Sequence, residues 1–280
     1  MQKYARLIFQ QVITGYRKFL FRILRSQVSL RILGDIPRDL LDFKRGFSYE
    51  FEENGELELI QKIGMLGHPG SIFFDVGANF GEYTQALLDN GYLGSLHLFE
   101  IDTRLIEELR KKFPESNSVT VNDFGLSNSL SVIEFNSFLD YPGANSLFPI
   151  SLGHLKSAKS IANIQRGDDY CNRLGIDKIQ FLKIDVEGWE RFVLEGLTPK
   201  FLRQEIEIVA WEYGYVTAES GWTSKDFFNF FESKGYVCGV IRPNGVKFQK
   251  WDYSLNDWKS GPNFLACLPS FKSMLEQPIN

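Results

Sequence analysis

The chain has 280 residues, 44% hydrophobic, 24% charged and 15% aromatic, which excludes a disordered or collagen-like polymer and suits one large domain with appendages. No stretch approaches the roughly 20 uninterrupted apolar residues of a membrane-spanning helix, and a net charge of −4 disfavours wholesale nucleic-acid binding, which needs a positive footprint to displace counterions. Cys171, Cys238 and Cys267 stand far apart with no C-x-x-C pair, which argues against a disulfide framework and a structural zinc site and for a reducing, cytoplasmic compartment.

The charge is unevenly spread. Residues 1–34 carry seven basic side chains and no acidic one, leaving 24 basic against 35 acidic in the remainder. Tyr4, Ile8, Val12, Tyr16, Leu20 and Ile23 recur three or four positions apart, the period of an amphipathic helix. Arg17 and Lys18 interrupt the apolar run and no small-residue cleavage site follows, so the segment does not read as a signal peptide. Two roles are open to it: packing on protein, including a homodimer seam, or peripheral contact with an anionic membrane. Residues 1–46 are therefore expected to be a basic helical extension and 47–280 the main domain. A polar region with Gly46, Gly55 and Gly64 leads to the Gly67-His68-Pro69-Gly70 turn.

Beyond that turn, helix-like and strand-like runs alternate. Strands are expected at Ser71–Phe74, Ser95–Phe99, Ser118–Val121, Ile179–Ile184, Glu205–Trp211, Tyr236–Ile241 and Asn263–Leu268. Helices are expected at Tyr83–Asp89, Arg104–Phe113, Glu190–Gly196 and Lys225–Lys234. Strands separated by helices imply an α/β, mainly parallel, doubly wound sheet, whose ligands bind beyond the carboxyl ends of the strands. Between Asn122 and Gly167 the rhythm breaks, and Tyr141-Pro142-Gly143-Ala144-Asn145-Ser146 predicts a long, pocket-shaping loop.

The strongest motif is Phe74-Asp75-Val76-Gly77-Ala78-Asn79-Phe80-Gly81-Glu82-Tyr83-Thr84, a short strand ending in an aspartate and running through a glycine-bracketed turn into a helix. Gly77 and Gly81 are spaced G-x-x-x-G, unlike the G-x-G-x-x-G of dinucleotide sites, and no Gly-Lys-Ser/Thr ending marks an NTPase loop. A nucleotide-dependent oxidoreductase is disfavoured accordingly. Glu100 ends the next strand, where nucleotide-binding α/β folds place a carboxylate to bind both ribose hydroxyls. Asn122 or Asp123, after the third strand, is a candidate for the adenine amino group, although Asn-Asp is also ordinary loop chemistry.

The set is completed by Phe181-Leu182-Lys183-Ile184-Asp185-Val186-Glu187-Gly188-Trp189-Glu190. Together with Asp-Val-Gly-Ala-Asn-x-Gly-x-Tyr-Thr, this segment resembles the K-I-D-x-E-G-x-E motif of FkbM-type S-adenosylmethionine-dependent methyltransferases. Asp168-Asp169-Tyr170-Cys171 and Asn145-Ser146-Leu147 are similar to two further segments of that family, and the likeness spans roughly residues 47–268. It implies a seven-stranded Rossmann-like sheet with an antiparallel final strand. It also implies S-adenosyl-L-methionine as cofactor, its methionine part held by Asp75, Gly77, Ala78, Asn79 and Gly81, its ribose by Glu100 and its adenine by Asp123. The reaction implied is O-methylation of a sugar, glycan or small natural product, a small-molecule acceptor rather than nucleic acid. Ile101, Arg166-Gly167 and Trp189 depart from the family pattern.

Methyl transfer is an in-line displacement, so the protein mainly orients the reactants, and a general base assists where the acceptor is an aliphatic hydroxyl. Asp185 and Glu187 are the candidate bases. Lys183 shares the Asp185 face and equally suits a buried ion pair. Glu187 and Glu190 also fit a helix-start role, complementing the positive end of the helix dipole. Glu212, closing the next strand, and His154, in the irregular segment, are substrate-facing candidates, while His97, alternating with apolar residues, reads as a core side chain. No metal-ligand cluster is apparent. A cofactor-binding scaffold without turnover is the alternative to an enzyme.

Overall fold

The computed structural model describes residues 54–114, 118–138, 145–146, 157–256 and 263–278. The expected basic extension and His154 lie outside these residues.

In chain order the elements are α1 (Glu56–Leu66), β1 (Ile72–Val76), α2 (Glu82–Asp89), β2 (Ser95–Phe99), α3 (Thr103–Lys112), β3 (Val119–Asn122), β4 (Gly125–Ser127), β5 (Ser131–Phe138), β6 (Ser157–Arg166), α4 (Gly167–Leu174) and β7 (Ile179–Ile184). They continue with α5 (Glu190–Gly196), α6 (Thr198–Leu202), β8 (Ile206–Glu212), α7 (Tyr215–Glu219), α8 (Ser224–Glu232), β9 (Val237–Arg242), β10 (Gly245–Phe248), β11 (Asn263–Cys267) and α9 (Lys272–Glu276). One sheet has the order β10-β9-β11-β8-β7-β1-β2-β3. Strands β8, β7, β1, β2 and β3 pair in parallel, and β11 runs antiparallel between β8 and β9.

The α/β, doubly wound, Rossmann-like reading holds, and so does the antiparallel last strand. The sheet has eight strands rather than the seven expected. The added one, β10, folds back on β9 through Pro243-Asn244, with Asn244 at φ 74°. Proline followed by a residue of positive φ is the chemistry of a tight turn.

A second correction concerns residues 122–167, where a loop was expected. Strands β4, β6 and β5 form a separate three-stranded sheet, with all of β5 antiparallel to Ser157–Ile164 of β6. The stretch between Phe138 and Ser157 is too long to give a hairpin signal, and β6 (SAKSIANIQR) is too polar to alternate clearly. Helix α1 also went unread, because Gly55 and Gly64 look like breakers. Gly64 is instead a packing contact: a Cβ there would lie 2.5 Å from the Asn90 carbonyl oxygen.

The core lies on both faces of the large sheet, as the continuous burial of β1 requires. Successive side chains alternate, so Phe73 stacks on Phe181 at 5.3 Å on one face while Phe74 meets Phe99 at 5.1 Å on the other. His97 donates to or accepts from the Tyr170 hydroxyl at 2.7 Å, and burial lowers its pKa to about 4, as suits a core histidine. The three cysteines are buried and free. Among the described residues no helix is long and apolar enough to cross a membrane.

Candidate active site

Strand register assembles the site. Asp75 of β1 pairs with Lys183 of β7, which pairs with Ala210 of β8. Side chains two residues apart share a face, so Asp185 and Glu212 continue the face of Lys183 and Ala210 at the carboxyl ends of the strands. Two cavities open there, sharing Asn79, Asp185 and Glu212 in their walls.

The first, of about 130 Å³, is lined on its apolar side by Phe99, Ile101, Leu105, Leu126 and Ile164, and on its polar side by Gly77, Asn79, Glu100, Asn145, Asp185 and Glu187. Glu100 is the hub of its polar side. Its Oε1 accepts from the N–H groups of Ile101 (2.8 Å) and Asp102 (2.9 Å), and its Oε2 accepts from the N–H of Asn79 (2.9 Å). Burial raises its pKa to about 7 even though these three donors favour the charged form. The carboxylate therefore ties the turn after β1 to the loop after β2.

The second cavity, of about 190 Å³, is lined by Asn54, Glu56, Ala78, Tyr83, Lys183, Asp185, Trp211, Glu212 and Asn263, among others. Lys183 Nζ lies 3.1 Å from Asp185 Oδ2 and 3.9 Å from Asp75 Oδ1, and sits over the Tyr83 ring at 5.3 Å. Burial alone would lower its pKa, but Asp185, Asp75 and Glu56 together hold it above the ordinary lysine value. Burial raises the pKa of Glu212 well above the carboxylate range, and repulsion from Asp185, Glu187 and Glu190 adds to it. Glu187 is raised to about 8, by burial first and then by Asp185 and Glu190. Carboxylates thus crowd around one ammonium.

The turn after β7 is strained. Glu187 has φ 48°, a left-handed conformation unusual for a side-chain-bearing residue. Asn79, across the first cavity, has φ 49°. Strain of this kind collects at functional sites and persists only where its surroundings enforce it.

Of the residues expected from the sequence, Gly77, Ala78, Asn79, Glu100, Lys183, Asp185, Glu187 and Glu212 are brought together in these walls. Three are not. Asp75 is fully buried behind the turn, accepting a 2.7 Å hydrogen bond from Thr84 Oγ1, and is in neither lining. Gly81 closes the turn, its N–H donating to the Ala78 carbonyl at 2.7 Å. Asp123 is 62% exposed, pairs with Arg110 at 3.1 Å and is in neither lining. Gly125 and Leu126, just after it in the chain, do line the first cavity. The role of Gly77 also differs from expectation: a Cβ there would lie 1.8 Å from the Asp185 carbonyl oxygen, so the glycine first lets two strand ends meet.

Sequence reading missed Glu56, Asn54, Asn263 and the apolar wall of Ile101, Leu126 and Ile164. Glu56 belongs to the unread helix α1, and Leu126 and Ile164 to the unread second sheet. No spacing rule carries such contacts.

The first cavity suits a nucleoside bearing a cationic side chain. Its apolar wall would take a base, Glu100 a diol, and Asp185 and Glu187 a cation. Asn79 Oδ1 is buried without a hydrogen-bond partner, an acceptor available to a ligand's amine.

A family model described as the methyltransferase FkbM domain matches residues 75–238, more than half of the chain. A search of the curated proteins gave no significant match. Among solved structures, the methyltransferase FkbM of Methylobacillus flagellatus KT is similar at 16% identity and a TM-score of 0.45, covering 84% of this chain and 60% of that one. The chain thus spans less than two thirds of that protein's length. Precorrin-6y C5,15-methyltransferase of Geobacter metallireducens is similar at 10% identity, TM-score 0.40, over 79% of this chain and 91% of that one. TrmK of M. capricolum, solved with S-adenosylhomocysteine, gives 12% identity and a TM-score of 0.39 over 74% and 66%. On the family match, the chain belongs to the FkbM methyltransferase domain family.

Proposed function

We propose that the chain transfers the methyl group of S-adenosylmethionine to a hydroxyl of a polyhydroxylated small molecule, a sugar, glycan or natural product. The observation that carries this reading is the lining of the second cavity. Its Asn54, Glu56, Asp185, Glu212 and Asn263 are the carboxylates and amides that hydrogen-bond hydroxyl groups, with Tyr83 and Trp211 beside them. Lys183 is the cation of that lining and is engaged by Asp75 and Asp185, which leaves it poorly suited to gripping a phosphate backbone.

In this reading Glu100 accepts from the ribose hydroxyls, Gly77, Ala78 and Asn79 carry the amino-acid end, and the cofactor supplies an electrophilic methyl group. Asp185, 35% exposed and in both walls, receives the acceptor hydroxyl and takes its proton as the oxygen attacks. Lys183 fixes that carboxylate at 3.1 Å. Glu212, in both walls and with its pKa raised chiefly by burial, donates a hydrogen bond to the acceptor in its protonated form. Residues 47–280 form the catalytic domain, and residues 1–34 associate with protein, as in a homodimer seam.

The test is transfer from deuteromethyl S-adenosylmethionine to a panel of sugars and sugar nucleotides alongside tRNA, rRNA and peptides. Label in a methyl ether of a hydroxylated small molecule is expected. Label in nucleic acid or on nitrogen would overturn the reading.

A further inference from the structure

The left-handed turn at Glu187 is held from two sides by side chains of other residues. Glu190 Oε1 accepts from the N–H groups of Val186 (3.1 Å) and Gly188 (3.2 Å). From the opposite side, Ser146 Oγ donates to the Glu187 carbonyl at 2.7 Å. Ser146 is 1% exposed, and its backbone pairs with Asn136 of β5 through hydrogen bonds of 2.8 and 3.1 Å. The residue before it, Asn145, is part of the first cavity's wall, donates to Asp102 Oδ2 at 2.8 Å and accepts from the Phe138 N–H at 2.8 Å. Asp102 in turn neighbours Glu100 and gives it an N–H. The pair Asn145-Ser146 therefore joins the loop beside Glu100 to the Glu187 turn, two opposite walls of one cavity.

The hydrogen bond from this buried serine hydroxyl stabilises the strained residue in the conformation it holds. Released from it, Glu187 would relax toward negative φ and its side chain would leave the wall. S-adenosylmethionine and its demethylated product differ there by one positive charge; a sulfonium beside Glu187 would offset the burial and like-charge repulsion that raise its pKa and favour its ionised form, so this carboxyl group favours the donor over the neutral product.

We infer that Ser146 is a positioning residue for the cofactor: its hydrogen bond to the Glu187 carbonyl keeps the Glu187 side chain in the cavity wall, where it selects the sulfonium donor over the neutral product. This rests on the first cavity being the cofactor site.

The test is calorimetric binding of S-adenosylmethionine and S-adenosylhomocysteine to the full chain and to Ser146→Ala, Glu187→Gln and the double variant. Loss of one hydrogen bond should cut the preference for the donor by about 2- to 10-fold in Ser146→Ala. The double variant should fall no further than Glu187→Gln alone, since the serine acts through the glutamate. Equal weakening of both ligands, or additive effects of the two substitutions, would overturn the inference. If Ser146→Ala does not fold, Ser146→Cys, of similar shape with a weaker donor, carries the test: a reduced preference is expected, and an unchanged one overturns it. Wild-type protein binding neither ligand would refute the cofactor assignment itself, a separate outcome.

Discussion

Replacing Gly77 by valine is expected to cost at least about 3 kcal/mol of stability, because its Cβ would meet the Asp185 carbonyl oxygen at 1.8 Å with φ at 82°. Any loss of cofactor binding in that variant should come with a lower melting temperature. A variant that melts like the wild type yet binds nothing would mean that the glycine serves the ligand alone. Glu100 offers a cleaner probe. In Glu100→Gln an amide N–H₂ must face at least one of the three N–H donors that now converge on the carboxylate. Calorimetry should find cofactor affinity lower by about 1 to 3 kcal/mol, and an unchanged dissociation constant would contradict a ribose role. For Asp185→Asn the turnover number should drop by about 100- to 10,000-fold while the S-adenosylmethionine dissociation constant moves only a few-fold. Equal losses in both would make Asp185 a cofactor ligand and no more. At this scale the sequence placed residues in the cavity walls from the strand ends and the turns after them: Asn79, Glu100, Asp185 and Glu212 stand there. Asp123, just past β3, instead pairs with Arg110 and stands in neither cavity wall.

The elements were legible in proportion to how strongly their own sequence encodes them. Strands β1, β2, β7 and β8 are apolar and flanked by turns, and their expected limits agree with the structure to within two residues. Helix α1 and the sheet of β4, β5 and β6 were hidden for a common reason: both depend on partners distant in sequence. Gly64 reads as a breaker until the Asn90 carbonyl is found against it, and β6 reads as polar loop until β5 is laid beside it. Yet these elements supply part of the cavity walls, through Glu56, Leu126 and Ile164. The strand ends were thus visible from the sequence, while the parts of the walls supplied by α1 and the second sheet were not.

The whole molecule carries its acidic groups in a way that sets its pH response. Glu100 and Glu190 have pKa values raised by burial to about 7, and Glu187 to about 8, from an ordinary value of 4.5. Between those limits the folded chain binds more protons than the unfolded chain, so this contribution to stability is complete below about pH 4.5 and is lost as pH rises through 7 to 8. Glu205, lowered to about 2 chiefly by its hydrogen bond from Arg203, acts in the opposite sense below that window, and His97, lowered to about 4 by burial, opposes the three carboxylates up to about pH 6.5 without outweighing them. Calorimetric melting should therefore fall from pH 5 to pH 8.5, and a melting temperature rising across that range would contradict the burial of these groups. Deleting residues 1–34, with their seven basic side chains, is expected to lower the mass of the particle in light scattering without changing sedimentation with anionic liposomes; loss of liposome binding at unchanged mass would favour a membrane role. The central claim is that the donor lies in the cavity beside Glu100 and opens onto the acceptor at Asp185. A crystal structure with S-adenosylhomocysteine tests it most directly. The ribose hydroxyls should lie within hydrogen-bond distance of Glu100, the base against Leu126, and the sulfur toward Asp185; a nucleoside bound elsewhere, with Glu100 untouched, would contradict the account.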